Sequence, residues 1–309
     1  MGVRPSAVAQ LPTEPGVYRF RDDGGRALYI GRAGDLRRRV SSYWGDLRDR
    51  PRLRRMVPQI VRIEALVCAS EHEAAWVERM LLEHRKPRWN RVVGGLENPV
   101  YVRLDTAAPS ICVAHEMVEA SGVRWYGPYL GGTASRLAVA ALERVYPLAY
   151  TRSSLTGTER DLARAHGVER ADAASLVGEV DLVLRADPTA VSSARELLVA
   201  RRDDAADKEL YELAARIHDE LGGLDWVVSP VRFVGTADLD LVATSGGERL
   251  SLSLRAGRLR TWTQTHLTEE GASRSSQGVS TVSGLVEWHD FLSRNATLAA
   301  VLRAHPLPD

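Results

Sequence analysis

Lysine is almost missing from this sequence: only Lys86 and Lys208 interrupt the arginines among its 41 basic residues. Cysteine is as scarce, with Cys68 and Cys112 the whole supply. Two isolated thiols cannot build a disulfide framework, and they lack the paired spacing of a metal-ligand set. A reducing, cytoplasmic setting is the expectation. No apolar run approaches the roughly 18 residues a membrane-spanning helix needs, so no membrane partner is expected. The opening stretch MGVRPSAVAQLPTEPG has no apolar core of the secretory kind. Internal repeats are absent, and the eight histidines show no ligand spacing.

What remains is a globular composition, 44% hydrophobic and 26% charged over 309 residues. That length predicts two or three domains. The net charge of +1 conceals an asymmetry: residues 1–100 hold 19 basic and 12 acidic side chains, the remainder 22 and 28. A basic front third suits an anionic partner, with nucleic acid the first candidate.

The runs GVYRF (16–20) and ALYIG (27–31) are β-rich, and RDDGGR between them supplies turn residues. A β-hairpin is predicted. Asp35 can cap the following helix, with Leu36, Val40 and Tyr43 on one face. IVRIEALVCA (60–69) reads as a third strand. Ser70 and Glu73 form a capping-box pattern for a helix running to about Arg85, ahead of Pro87. The expected fold class is α+β: a small antiparallel three-stranded sheet flanked by helices over 1–98. A mixed middle segment (99–150) follows with two strands, the YGPYLGG stretch and a helix near 133–146. A helical region (151–228) contains an antiparallel pair ended by Gly222 and Gly223. A β-rich C-terminal part (229–309) closes with a helix over 282–303, after a polar stretch, HLTEEGASRSSQGVS, expected to be a loop.

The chemistry concentrates at the front. A hairpin brings Tyr18 and Tyr29 within reach of each other. Gly31 lets the chain turn tightly beside a ligand. Arg39 and Tyr43, four apart, are neighbours on a helix surface. Glu78 falls among Ala75, Leu82 and other apolar positions of its helix. A carboxylate there costs several kcal/mol unless it is paired. A salt bridge to an arginine and a divalent-metal site both satisfy it.

GVY at 16–18 and YIG at 29–31 match the two short motifs that name the GIY-YIG nucleases. Arg39, Glu78 and the PRWN stretch ending at Asn90 follow in the order and spacing of that superfamily. LPTEPGVYRF…LYIGRAGDLRRRVSSYW and SEHEAAWVERMLLEHRKPRWN further resemble the N-terminal part of the UvrC family of bacterial nucleotide excision repair. YGPYLGGTASRLAVAALERVYPL is similar to that family's next segment. ELYELAARIHDEL (209–221) resembles its UvrB-contacting helix hairpin, with Tyr211 and His218 where Phe and Arg are usual.

The resemblance implies a metal-dependent DNA endonuclease nicking one strand of damaged duplex. Glu78 would hold one divalent ion, Mg²⁺ or Mn²⁺. Tyr18 would be general base, its phenol lowered from an ordinary value near ~10 by arginine and metal charge. Tyr29 would position the water, and Arg39 and Tyr43 would bind the phosphate. Arg32, which replaces a usual lysine, would lie with Arg37, Arg38 and Asn90 on the DNA side. UvrC-type clustered cysteines are missing after Leu148, so no iron–sulfur cluster is expected. One nuclease site is expected, as in the short Cho-type homologues that make the 3′ incision. A silent DNA-binding adaptor and a restriction-type nuclease are the alternatives on the same scaffold.

Overall fold

A computed structural model describes residues 6–48, 50–90, 98–233, 236–267 and 286–305. The chain folds as two compact units, residues 1–96 with 230–309, and residues 97–229. Three sheets, each antiparallel and three-stranded, run through them.

In the first unit, helix α1 (Ser6–Ala9) precedes strands β1 (Gly16–Arg21) and β2 (Ala27–Ala33), which pair as the turn residues predict. Helix α2 (Leu36–Ser41) starts where the Asp35 carboxylate accepts the Arg38 N–H, 2.8 Å away. It is shorter than its apolar spacing implies and passes into a 3-10 turn, Ser42–Trp44. Leu36, Val40 and Tyr43 are all buried nonetheless. After α3 (Pro51–Met56), strand β3 (Arg62–Val67) takes the other side of β1, giving the order β2-β1-β3. Tyr18 stands opposite Gly31 and Ala65, and Phe20 opposite Tyr29 and Ile63. Alternation therefore places Tyr18, Phe20 and Tyr29 on one face and Arg19 and Glu64 on the other.

Helix α4 (Glu71–His84) opens with Ser70 Oγ accepting the Glu73 N–H at 3.0 Å. The reciprocal half of the box differs from expectation: the Glu73 carboxylate takes the Ala69 N–H instead. Beyond α4 the chain returns along the edge strand. Asn90 Oδ1 accepts the Ile30 N–H at 3.0 Å, and its Nδ2 donates to the Ile30 carbonyl at 2.8 Å. The side chain thus imitates a neighbouring strand and closes one edge of the sheet.

The second unit places strands β4 (Val100–Asp105), β5 (Ser110–Ala114) and β6 (Val123–Tyr129) in the order β5-β4-β6. Helices α5 (Gly132–Val145), α6 (Gly157–His166), α7 (Ala173–Leu184), α8 (Pro188–Asp207) and α9 (Tyr211–Val228) follow. The YGPY stretch is thus mostly strand β6, with a cis Gly127–Pro128 peptide. One core of Val102, Leu104, Leu142, Leu198 and Leu224 unites what the sequence divides at 150. Gly222 and Gly223 do not end a helix, because α9 continues through them to Val228. A Cβ at Gly223 would stand 2.7 Å from the Ala138 nitrogen and 2.8 Å from the Ala134 carbonyl. That glycine lets α9 cross α5 at backbone contact.

Strands β7 (Leu239–Ser245), β8 (Glu248–Arg255) and β9 (Arg258–His266) and helix α10 (Val286–Ala304) belong to the first unit. They are not a free-standing C-terminal domain, because the nuclease-like sheet has ionic and apolar surface that only they cover. Glu64, fully buried, accepts from Arg19 at 2.6 Å, Arg21 at 2.8 Å and Arg62 at 2.5 Å. Arg19 and Arg62 then donate onward to the β9 carbonyls of Trp262 and Gln264. Burial pulls the Arg19 guanidinium down to about 10 while Glu64 holds it charged. Along β3, Asn295 of α10 accepts the Val67 N–H at 2.7 Å and donates back to its carbonyl at 3.2 Å. Both edges of the sheet are closed by an asparagine amide. Of the predicted polar loop only His266 and Leu267 are described; its remainder lies outside the described residues.

Candidate active site

The β1–β2 register carries Tyr18 and Tyr29 to the same patch of sheet, and the turn after α2 lays Tyr43 over them. The three ring centroids form a triangle with sides of 5.9, 6.0 and 6.1 Å. Phe20 packs beneath, 5.0 Å from Tyr43 and 5.3 Å from Tyr18. Gly31 has a geometric reason to be glycine: a Cβ there would lie 2.5 Å from the Tyr18 hydroxyl. Tyr18 and Tyr43 share a hydrogen bond of 2.7 Å between their hydroxyls. Arg39 Nε donates to the Tyr18 oxygen at 3.4 Å, and its guanidinium carbon stands 5.6 Å from the Tyr43 ring centre. The rest of the Arg39 side chain is open to solvent.

Tyr18 is fully buried and Tyr43 is 2% exposed. Burial, and then the neighbouring Tyr29, push the Tyr18 phenol well above the ordinary tyrosine range; Arg39 opposes this without prevailing. Tyr43 is raised for the same first reason. In the protein alone, burial favours the neutral form of both phenols, so Arg39 by itself does not supply the lowering expected of Tyr18. Tyr29 is the half-buried member of the triangle and the one water can approach.

Glu78 is less buried than its apolar neighbours imply, its side chain retaining 19% exposure. Arg32 follows Gly31 on β2, turns to the α4 side, and brings its Nε within 3.5 Å of a Glu78 oxygen. The wholly buried acid of this helix is Glu73, which carries a structural ion pair with Arg232 at 2.9 Å. Sequence reading gave Glu73 only a capping role. Its hidden partner lies at a separation of 159 residues, and no local signal marks it.

The DNA-side residues divide. Arg32, Arg37, Arg38 and Arg39 all reach solvent on α2 and the end of β2. Arg37 is partly committed, its Nε donating to the Leu11 carbonyl at 2.5 Å. Asn90 does not belong with them. It is 8% exposed, and its amide is used by Ile30, so it positions the strand that bears Tyr29.

No cluster of three or more metal-ligating side chains occurs among the described residues. A many-ligand cage is therefore not the fit here. A single half-buried carboxylate beside an arginine, as Glu78 stands beside Arg32, does fit a hydrated magnesium-like ion, which keeps most of its waters and takes one or two carboxylates. No helix of the described residues is long and apolar enough to cross a membrane.

A family model described as the UvrC-like GIY-YIG domain matches residues 14–91. The chain belongs to the GIY-YIG nuclease superfamily. Within it, the similarity is to UvrC. The UvrABC system protein C of Corynebacterium aurimucosum is 29% identical over 82% of this chain and 40% of its own length. That of Mycobacterium tuberculosis is 32% identical over 82% of this chain and 42% of its own. The chain thus spans about two-fifths of the curated relatives it matches. Among solved structures, the GIY-YIG N-terminal endonuclease domain of UvrC from Thermotoga maritima, bound to magnesium as its catalytic cation, is 31% identical. That likeness covers 27% of this chain and 90% of that one, with a TM-score of 0.25.

Proposed function

We propose that this protein is a divalent-metal-dependent DNA endonuclease that nicks one strand near damage in nucleotide excision repair, on the 3′ side. The observation that carries the proposal is the Tyr18–Tyr43–Arg39 hydrogen-bonded cluster with Tyr29 at its open side. The Arg32–Glu78 pair links the end of β2 to α4, and all of these residues fall within the stretch that matches the UvrC-like domain.

The residues divide the work as follows. Arg39 presents its exposed guanidinium to a DNA phosphate as a planar donor fork, while its Nε stays on Tyr18. Tyr18 and Tyr43, kept neutral by burial, hold Arg39 in place and give the site hydroxyl dipoles in place of water. Tyr29 orients the attacking water. Glu78 would hold one Mg²⁺ or Mn²⁺, with Arg32 displaced toward the phosphate. Such an ion stabilises the charge that develops on the scissile phosphate and acidifies a bound water. Arg37 and Arg38 add backbone contacts without sequence information. The α8–α9 pair offers UvrB a surface at 209–221, where Leu210, Tyr211 and Leu213 are exposed. A cytoplasmic setting accompanies these partners.

The test is incision of a lesion-bearing duplex, each strand end-labelled, with Mg²⁺ or Mn²⁺ and with or without UvrB. The parent should give one nick, 3′ to the lesion. Glu78→Gln should lose it by a factor of at least ~10² while unfolding at the parental temperature. Equal nicking by Glu78→Gln defeats the metal assignment. Tight DNA binding with no nick under any of these conditions leaves only an adaptor.

A further inference from the structure

Helix α3 and its flanks hold arginines that no carboxylate balances among the described residues. Arg50, Arg54 and Arg55 are exposed and Arg52 is half-buried. None of them, nor Arg88, pairs with a carboxylate among the described residues. Some surface arginines of this unit are paired, Arg26 with Asp22 and Arg48 with Asp46. Like charges crowded on a short helix repel and lower its stability. The cluster therefore has a structural cost that a purely scaffolding segment would not carry.

The cluster is also placed, not merely charged. Arg52 donates to the Arg88 carbonyl at 3.3 Å. The guanidinium carbons of Arg52 and Arg88 stand 6.0 and 5.6 Å from the Trp89 ring centre, so one indole supports both. The Trp89 backbone N–H in turn bonds the Leu28 carbonyl at 3.1 Å, and Asn90 clasps Ile30. Those two residues flank Tyr29. The arginine face is thus bonded to the strand that carries the water-facing phenol.

We infer that the α3 arginines, with Arg88 on its Trp89 support, are the track for the DNA backbone leading away from the cut phosphate. This rests on the endonuclease reading and extends its DNA contacts beyond Arg32, Arg37 and Arg38. The ligand is the phosphate backbone of the substrate duplex, and the contacts are sequence-independent. They raise affinity and set where along the strand the site stops, without touching the reacting atoms.

The experiment compares the parent with the triple variant Arg50→Gln, Arg54→Gln, Arg55→Gln. A control triple, Arg249→Gln, Arg260→Gln, Arg303→Gln, removes the same charge from exposed sites elsewhere in the first unit. Fluorescence anisotropy with a labelled lesion-bearing duplex, in EDTA, gives the affinity from 50 to 200 mM salt. Each lost phosphate contact flattens the slope of log affinity against log salt by about 0.9, so the α3 triple should lose about 2.7. At 0.1 M salt this is a weakening on the order of 10²-fold. The nicking rate at saturating DNA should stay parental. An unchanged salt slope in the α3 triple overturns the inference, as does an equal loss in the control. Failure of the parent to nick in Mg²⁺ would instead remove the endonuclease reading, and the binding comparison would still decide the surface.

Discussion

Replacing Glu73 by glutamine should destabilise the first unit more than any change at the phenol cluster. Glu73 is fully buried. One oxygen accepts the Ala69 N–H at 2.6 Å and Arg232 Nη2 at 2.9 Å; the other accepts the Arg232 N–H at 2.7 Å. Glutamine keeps the shape but has one acceptor oxygen for three donors on two sides, so a buried N–H meets an NH₂ group. An unsatisfied buried donor costs roughly 1–3 kcal/mol, and breaking a buried pair from one side about 3–5. About 3–4 kcal/mol is therefore expected, a large share of the ~5–15 kcal/mol that holds a domain together. Because the chain holds two compact units and exchange reads each amide by itself, hydrogen exchange is the better assay than a single melting curve. The Ala69 and Arg232 amides should lose protection together in Glu73→Gln, by about 10²-fold or more. Arg232→Met should cost less, since its guanidinium is partly solvated and rests on the Phe291 ring at 4.8 Å. The double variant should show coupling above about 1 kcal/mol. A loss under 1 kcal/mol in Glu73→Gln, or additivity in the cycle, would refute the claim that this carboxylate fastens the 230–233 segment to α4.

Three further outcomes follow from the same geometry. Burial, reinforced by Arg32, holds His72 down to about 4. An unfolded histidine titrates near ~6.5, so as pH falls below that value the unfolded chain binds the proton first, and stability drops until about pH 4. His72→Gln should remove roughly 2 kcal/mol of the stability difference between pH 7 and pH 5, read as unfolding midpoints; a parental pH slope in the variant contradicts it. Tyr18→Phe should slow nicking by misplacing Arg39 yet leave the pH dependence of kcat unchanged between pH 6 and 9; loss of an alkaline limb would show that Tyr18 titrates after all. Asn295→Ala should expose the Val67 amide to exchange and cost about 2 kcal/mol, and Asn90→Ala should do the same at Ile30 while also reducing nicking, because that strand carries Tyr29. Nicking untouched by Asn90→Ala would free the phenol's position from the edge clasp.

What the sequence discloses is what is local. The hairpin, the Asp35 and Ser70 caps and the Leu36–Val40–Tyr43 face all follow from residues within one or two turns of each other, and all are present. The three phenols and Arg39 come together because pairing register and helical spacing fix them, and Gly31 is legible as the one residue that tolerates a hydroxyl against its Cα. The failures are long-range. Glu78 and Glu73 sit on one helix, and only the arrival of Arg232 decides which acid is deeply buried. Glu64 and Arg19 alternate unremarkably along their strands until β9 closes over them. Gly223 reads as a helix stop, because nothing nearby says that α5 crosses there. The lowered-phenol expectation joined arginine and metal charge, and the arginine part alone falls short: at 3.4 Å it does not outweigh complete burial beside another phenol.

These long-range contacts change what counts as the catalytic scaffold. Tyr18 lies on β1, the middle strand, and is held in register from both sides: Gly31 on β2 and Ala65 on β3. Each outer strand is then held by an asparagine from elsewhere in the chain, Asn90 for β2 and Asn295 for β3. The first comes from within the matched domain, the second from α10, at a separation of 228 residues. The face opposite the phenols is neutralised by Glu64 and closed by β9, which also takes the spare arginine donors. A three-stranded sheet alone would leave one edge open and two of the three arginines around one buried carboxylate, Arg19 and Arg62, without their carbonyl acceptors. Here the C-terminal sheet and helix supply the missing edge and the missing acceptors. The scaffold that orients the phenols therefore includes residues 230–305 as well as the first ninety. The placement of Tyr18 in its register depends on α10 as directly as on the hairpin that carries it.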